Sequence, residues 1–188
     1  VLIVAALVNF GVNGIQYAIQ LHLVSCGTNA TSIGFISGGI SLMMLVGSLL
    51  AGKLSDKVPV GPTVCLAYLF ICLCVLPMTL TDSYWIMLVA NSFVGLPFPL
   101  INAMLLGFIF AKSPTSMQGR ITVTLTVPAQ VLSMFCSAVA GTLLPVFGFH
   151  GAVLVFLAVL VASAVLVICS RSIRSIPKAA QWEHTMLR

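Results

Sequence analysis

Four side-chain amides stand at helical spacing near the beginning of the sequence. They are Asn9, Asn13, Gln16 and Gln20, separated by four, three and four positions, with Tyr17 beside them. In an α-helix these positions share one narrow face. Amides both donate and accept hydrogen bonds, so the face predicts one wall of a polar cavity for an uncharged or amphipathic small molecule. The alternative is hydrogen bonding to a neighbouring helix, for which four amides are more than packing needs.

A second group of polar residues surrounds two prolines in a later apolar stretch. Asn91 and Asn102 flank a segment that contains Gly95, Pro97 and Pro99. Proline removes a backbone donor, so a helix must loosen here, and the freed carbonyl groups need partners from neighbouring helices, water or a ligand. A broken helix in the middle of a membrane is typical of a binding site. We therefore predict that these residues line the same cavity. The alternative is a kink that only shapes the bundle.

Residues that could catalyse a reaction are not grouped in this sequence. It has no nucleophile elbow, no phosphate-binding loop and no histidines and carboxylates at metal-binding spacing. None of the six cysteines forms a C-x-x-C pair, and five lie in apolar runs, as small buried side chains do. No Asp, Glu, Lys or Arg lies at the centre of an apolar stretch, where ion and proton sites usually are. We expect no enzymatic activity, no bound metal and no cofactor.

The composition places these residues in a lipid bilayer. Of the 188 residues, 60% are hydrophobic and 6% are charged, whereas soluble domains carry about 25% charged residues. A membrane-spanning helix needs about 20 apolar residues, and the apolar runs here are too long for the short alternating strands of a barrel. The sequence predicts an all-α membrane protein, a bundle of six transmembrane helices. The predicted spans cover residues 1–24, 33–54, 62–80, 84–111, 121–147 and 152–169.

The positive charges fall in alternate loops between these spans. The eight basic residues follow the second, fourth and sixth spans and are Lys53, Lys57, Lys112, Arg120, Arg171, Arg174, Lys178 and Arg188. The positive-inside rule places this side in the cytoplasm. We therefore predict a multi-pass protein of the cell membrane with both ends cytoplasmic and residues 171–188 as a basic tail. The net charge of +5 does not indicate nucleic-acid binding, because the basic residues form no stripe with interleaved aromatics.

Small residues in two spans predict close helix packing. The second span contains Gly34, Gly38, Gly39, Gly47, Ser48 and Gly52, and the fifth contains Ser133, Ser137 and Gly141. Between helices in lipid the hydrophobic driving force is weak, so small side chains that allow close approach matter. We expect both spans to pack tightly against neighbours.

The loop after the second span contains a motif. Residues 52–61 read GKLSDKVPVG, which resembles the loop signature of the major facilitator superfamily, G-x-x-x-D-[RK]-x-G-[RK]-[RK]. Gly52, Asp56 and Lys57 match the signature, whereas its later glycine and two basic residues are replaced. Such loss is common in the second copy of this motif, between the eighth and ninth helices.

Two further segments resemble the drug-exporter branch of that superfamily, which includes macrolide efflux proteins and enterobactin exporters. Residues 114–121 read PTSMQGRI, with Gly119 and Arg120 in the positions of the element P-x-x-x-x-G-R-V that opens the eleventh helix. Residues 95–103 look like the tenth helix of that branch. The chain thus resembles the C-terminal six-helix half of such a transporter. The apolar start without a basic flank suggests that the natural chain begins earlier.

The resemblance implies two inverted three-helix repeats, with a small-molecule substrate bound between this half and an N-terminal six-helix half. The first and fourth spans then line the cavity, and these spans carry the amides and the prolines. It further implies a secondary active transporter that exports drugs or other amphipathic molecules by alternating access, with protons as the coupling ion. The alternatives are a superfamily member for another solute, such as a sugar, an amino acid or a siderophore, and a non-transporting sensor or scaffold.

The loop motif also suggests a gate. A carboxylate can pair with the positive N-terminus of a helix, and Asp56 and the Gly119–Arg120 pair lie on the same predicted side. The hypothesis is that Asp56 caps the fifth span and pairs with Arg120, which holds the cytoplasmic side shut in one state of the cycle. The alternative is a charge cluster that only sets the topology.

Overall fold

The computed structural model describes residues 2–55, 57–111, 113–114, 117–170 and 176. Within these residues all regular structure is helical, so the prediction of an all-α membrane protein is confirmed. The elements are α1 (Leu2–Ser25), α2 (Ala30–Leu54), α3 (Val60–Val75) with a 3-10 turn (Leu76–Thr79), α4 (Tyr84–Val94), α5 (Phe98–Ala111) and α6 (Gln118–Cys169). Five helical segments of the described chain are long and apolar enough to cross a membrane, with α4 and α5 together forming one of them.

The longest segment, α6, is folded back on itself. Its 52 residues contain a break at Gly148, which has φ 69° and ψ −178°, a conformation that favours glycine. Phe10 of α1 contacts both sides of the break, because its carbonyl oxygen accepts a hydrogen bond from Cys136 Sγ at 3.3 Å and its ring centroid lies 5.8 Å from that of Phe156. A straight helix would separate these two residues by about 30 Å. The chain therefore reverses at Gly148, and α6 consists of two arms that lie side by side.

We call residues 118–147 α6a and residues 149–169 α6b. The sequence predicted a four-residue turn at 148–151, but one glycine makes the reversal and the helix resumes at once.

The first helix lies against both arms of α6. Its buried residues include Val4, Val8, Val12, Ile15 and Ile19. The Ser163 hydroxyl of α6b donates a hydrogen bond to the Val4 carbonyl oxygen at 3.3 Å. Further along α1, Gly11 faces Leu160 and Gly14 faces Phe156. α1 is thus enclosed by the last two segments of the chain.

Glycines let α2 approach the helix break between α4 and α5. Gly39 faces the Ser92 side chain, Gly47 faces the Leu96 carbonyl oxygen, and Gly95 faces Ile40 of α2. The other glycines that were predicted to pack closely have open space beside them instead. No atom lies within 4 Å of a Cβ built on Gly34, Gly38, Gly52 or Gly141. The packing prediction therefore holds for part of the second span and is wrong for Gly141.

The described segments give the bundle two distinct ends. The Tyr84 hydroxyl donates to the Ser32 carbonyl oxygen at 2.8 Å and Gly47 meets Leu96, so α2 and the α4–α5 segment run in the same direction. Both therefore finish at one end, where Ile176 of the tail is buried and its carbonyl oxygen accepts a hydrogen bond from the Gly61 N–H at 3.3 Å.

The opposite end holds two histidines around one carboxylate. The Nε2 atoms of His22 and His150 lie 3.8 Å and 3.3 Å from Asp82 Oδ1, and the His22 ring stacks on Phe149 with the centroids 4.3 Å apart. These contacts join the last turn of α1, the segment before α4 and the start of α6b. In the part of the chain that the structure describes, no three His, Cys, Asp or Glu side chains are arranged to hold a metal ion.

Candidate functional site

The break after α4 positions the polar residues that follow it. The Gly95 N–H donates to the Ser92 carbonyl oxygen at 3.0 Å, and the Leu96 N–H donates to that of Phe93 at 3.1 Å. These short-range bonds tighten the final turn. Pro97 and Pro99 have no N–H to continue the helix, and α5 starts at Phe98. The break turns the first part of α5 towards α1.

A cavity of about 330 Å³ lies between α1, α5 and α6a. Small-molecule sites in proteins usually have volumes of about 300 to 1,000 Å³. Its polar lining consists of uncharged side chains, namely Asn9, Asn13, Asn102, Thr126, Gln130 and Ser133. Its apolar lining consists of Ala5, Leu105, Leu106, Ile109 and Leu125. The cavity thus combines hydrogen-bonding groups with an aliphatic wall.

Several polar atoms in the cavity already have partners. The Asn13 amide donates to Ser133 Oγ at 3.1 Å, across the gap between α1 and α6a. The Asn9 amide donates to the Ala5 carbonyl oxygen of its own helix at 2.7 Å. Thr126 Oγ1 donates to the Thr122 carbonyl oxygen at 2.8 Å. Each asparagine amide has two N–H donors and an oxygen acceptor, so further donors and acceptors remain for a ligand.

The predicted amide face is divided between two environments. Asn9 and Asn13 line the cavity, whereas Gln16, Tyr17 and Gln20 lie further along α1, outside its lining. The Gln20 amide lies 3.5 Å from Ser37 Oγ of α2, which is the helix-to-helix bond that the sequence left as the alternative. The two halves of this amide face therefore lie in different environments, one beside the cavity and one beside α2.

The residues predicted around the proline break are divided in a similar way. Asn102 lines the cavity. Asn91 is only 1% exposed and its amide lies 3.5 Å from the Ile36 carbonyl oxygen of α2, so it joins two helices. Pro97 lines an apolar groove beside α2 and α3, and the Pro99 ring lies next to Gly47. Both prolines shape the backbone.

Three cavity residues on α6a were not predicted as part of the site. Thr126, Gln130 and Ser133 are spaced four and three residues apart, which places them on one helix face. The same spacing identified the amides of the first span, so the signal was present. Ser133 was instead interpreted as a packing residue.

The loop motif lies at the end of the bundle that holds Ile176. Gly52 lies in the last turn of α2 and Lys57 lies between α2 and α3, and both are exposed. Gly119 and Arg120 are exposed in the first turn of α6a. Asp56 lies outside the described residues, so the predicted pairing of Asp56 with Arg120 stays a prediction.

A bundle of long apolar helices around an uncharged polar cavity is the architecture of a multi-pass membrane protein. The sequence pattern of the Major Facilitator Superfamily matches residues 1–186, and the chain belongs to that superfamily. Its members are membrane transporters rather than enzymes, so the chain is a transporter of small molecules across a lipid bilayer. No curated protein matches the sequence.

Proposed function

We propose that this transporter moves uncharged or amphipathic small molecules, drugs among them, through the cavity between α1, α5 and α6a by alternating access. The observation that supports this substrate class is the lining, in which six polar side chains carry no formal charge. A strongly charged solute would lose its hydration there without a compensating partner. An uncharged molecule can place its polar groups on the amides and its apolar body on the leucines.

We further propose that an N-terminal six-helix half of the same transporter closes the cavity. Asn102, Thr126 and Gln130 are exposed beside the cavity. Polar side chains that face lipid without a partner are costly. A second bundle that covers them would remove this cost and would complete the binding site.

The proposed direction is export, with protons as the coupling ion and the basic end of the bundle in the cytoplasm of the cell. This part rests on the exporter-like segments at residues 95–103 and 114–121 and on the position of the basic loops. The test is the accumulation of fluorescent amphipathic compounds in cells that lack their own exporters. Expression of the full-length protein should lower accumulation, and a protonophore should abolish the difference.

Other outcomes of this experiment would favour a different proposal. Lower accumulation that persists with the protonophore would contradict proton coupling and leave the substrate class intact. Unchanged accumulation of every compound would contradict drug export and favour the transport of another solute, such as a sugar, amino acid or siderophore, or a sensor or scaffold role.

A matched pair of threonines tests whether the cavity binds the substrate. Thr126 and Thr124 both lie on α6a, and each hydroxyl donates to a carbonyl oxygen four residues earlier at 2.8 Å. Only Thr126 lines the cavity. We expect Thr126→Val to raise the substrate KM about threefold to tenfold, because a hydrogen-bonding group is lost. Thr124→Val should leave KM unchanged. Equal effects of the two changes on KM would contradict the cavity as the binding site.

The gate hypothesis is tested at Asp56. If this carboxylate pairs with Arg120 in one state of the cycle, Asp56→Asn removes the charge at nearly constant size. We expect transport to fall about tenfold while the amount of protein in the membrane stays the same, because a charge-assisted contact of one state is lost. The measurement is initial transport rate per transporter molecule, with Asp82→Asn at the opposite end as the control. If Asp56→Asn transports at the wild-type rate, the gate is contradicted and the charge cluster only sets the topology.

A further inference from the structure

A smaller pocket of about 60 Å³ adjoins the cavity on the side of α3. The two spaces share Ala5, Asn9, Asn102 and Leu105 in their walls. The two asparagines therefore stand where the cavity meets the pocket. The rest of the wall is formed by Val8, Phe98, Ile101 and Tyr68, of which Tyr68 comes from α3, a helix that contributes nothing to the main cavity.

Tyr68 is the unusual member of this wall. The residue is only 3% exposed. Its hydroxyl oxygen is not fully enclosed, because among the described residues only His150 Nδ1 is a fully buried side-chain atom without a partner. A hydroxyl with so little access to solvent is costly unless it finds a hydrogen-bond partner. Phenylalanine would fill the same space without this cost. The hydroxyl and the neighbouring asparagine amides therefore offer hydrogen bonds to a polar occupant of the pocket, either an ordered water or a group of the substrate.

We propose that this pocket is a specificity subsite that binds one uncharged oxygen-bearing group of the substrate, a hydroxyl or a carbonyl, with Tyr68 as its hydrogen-bond donor. The proposal rests on the proposed function of the main cavity and adds the substrate class. A volume of about 60 Å³ admits a few atoms only, since one water molecule occupies about 30 Å³ of liquid. The preferred substrate thus has an apolar body with a short polar substituent.

The test compares two uncharged steroids, progesterone and hydroxyprogesterone, which differ by one hydroxyl. Binding of the tritiated compounds is measured on the purified full-length transporter in lipid nanodiscs. We expect the wild type to bind hydroxyprogesterone about fivefold to tenfold more tightly than progesterone. Tyr68→Phe should remove this preference by weakening only the hydroxylated compound. Val8→Ile, which narrows the pocket from a residue outside the main cavity, should act in the same way.

The control is Tyr84→Phe, which removes a tyrosine hydroxyl bonded at 2.8 Å to the Ser32 carbonyl oxygen. It should change thermal stability and leave the preference intact. A pocket that holds only an ordered water would give a Tyr68→Phe protein with altered stability and the wild-type preference, which overturns the subsite. Equal affinity of the wild type for both steroids, or none for either, also overturns it. The accumulation of fluorescent compounds in cells tests the proposed function independently of this binding experiment.

Discussion

Replacing Gly47 by alanine is expected to destabilise the folded bundle by about 3 kcal/mol. A Cβ at this position would overlap the Leu96 carbonyl oxygen and would lie 3.3 Å from Pro99 Cδ. The carbonyl belongs to the backbone of the helix break, so it has no rotamer that moves it away. α2 must therefore separate from the break, and the close contact between the two segments is lost. The same displacement moves α5 and with it Asn102.

The matched control lies on the same helix. Gly38 has no atom within 4 Å of its added Cβ, and alanine is a better helix former than glycine by about 1 kcal/mol. Gly38→Ala should therefore be neutral or slightly stabilising. Melting is followed in detergent with a thiol-reactive dye, in a background in which the other five cysteines are replaced by serine. Cys136 is fully buried and then reacts only when the bundle opens. Equal melting temperatures for Gly47→Ala and Gly38→Ala would refute the close contact.

The second large effect is expected at the contact between α1 and α6b. A Cβ on Gly14 would overlap the ring of Phe156, which is fully buried and packs on Phe10. The ring has no free space to enter, so we expect Gly14→Ala to cost about 2 to 3 kcal/mol. The expected decrease in melting temperature is roughly 5 to 10 °C.

A double-mutant cycle identifies the cause of this loss. Phe156→Leu alone leaves a cavity and destabilises the bundle. In combination with Gly14→Ala, the new methyl group occupies part of that space. The double variant should therefore be more stable than the sum of the two single effects predicts, by about 1 to 2 kcal/mol. Phe147→Leu, at an exposed ring of α6a, should show no coupling with Gly14→Ala. Additive effects of Gly14→Ala and Phe156→Leu would show that the helices do not meet there.

The sequence predicted which residues share a helix face, because helical spacing is a property of one segment. It could not predict which neighbour that face meets. Asn13 bonds to Ser133 of α6a, whereas Gln20 lies beside Ser37 of α2, although both amides belong to one face of α1. In lipid the outside of a bundle is as apolar as its inside, so hydropathy does not mark the buried face.

The same limit explains the residues that sequence reasoning missed. Tyr68 stands in an apolar span with no polar residue at helical spacing to accompany it. Its importance arises only from the approach of Asn9 and Asn102, which belong to other helices. The position of the reversal at Gly148 was predicted correctly. Its length was not, because one residue with a positive φ angle makes the whole turn. Composition alone does not determine that angle.

The enclosure of α1 by α6 has a consequence for biosynthesis. Of the helices described here α1 leaves the ribosome before the others, yet Phe10 and Val4 meet partners that are 126 and 159 residues later in the chain. At about 5 to 20 residues per second, these partners arrive roughly 6 to 30 s after the helix that needs them. During that interval Gly11, Gly14 and Asn13 of α1 lie in the membrane without their neighbours on α6. Among the helices described here, α1 is thus made before the others and is packed against its last partners only when α6 arrives.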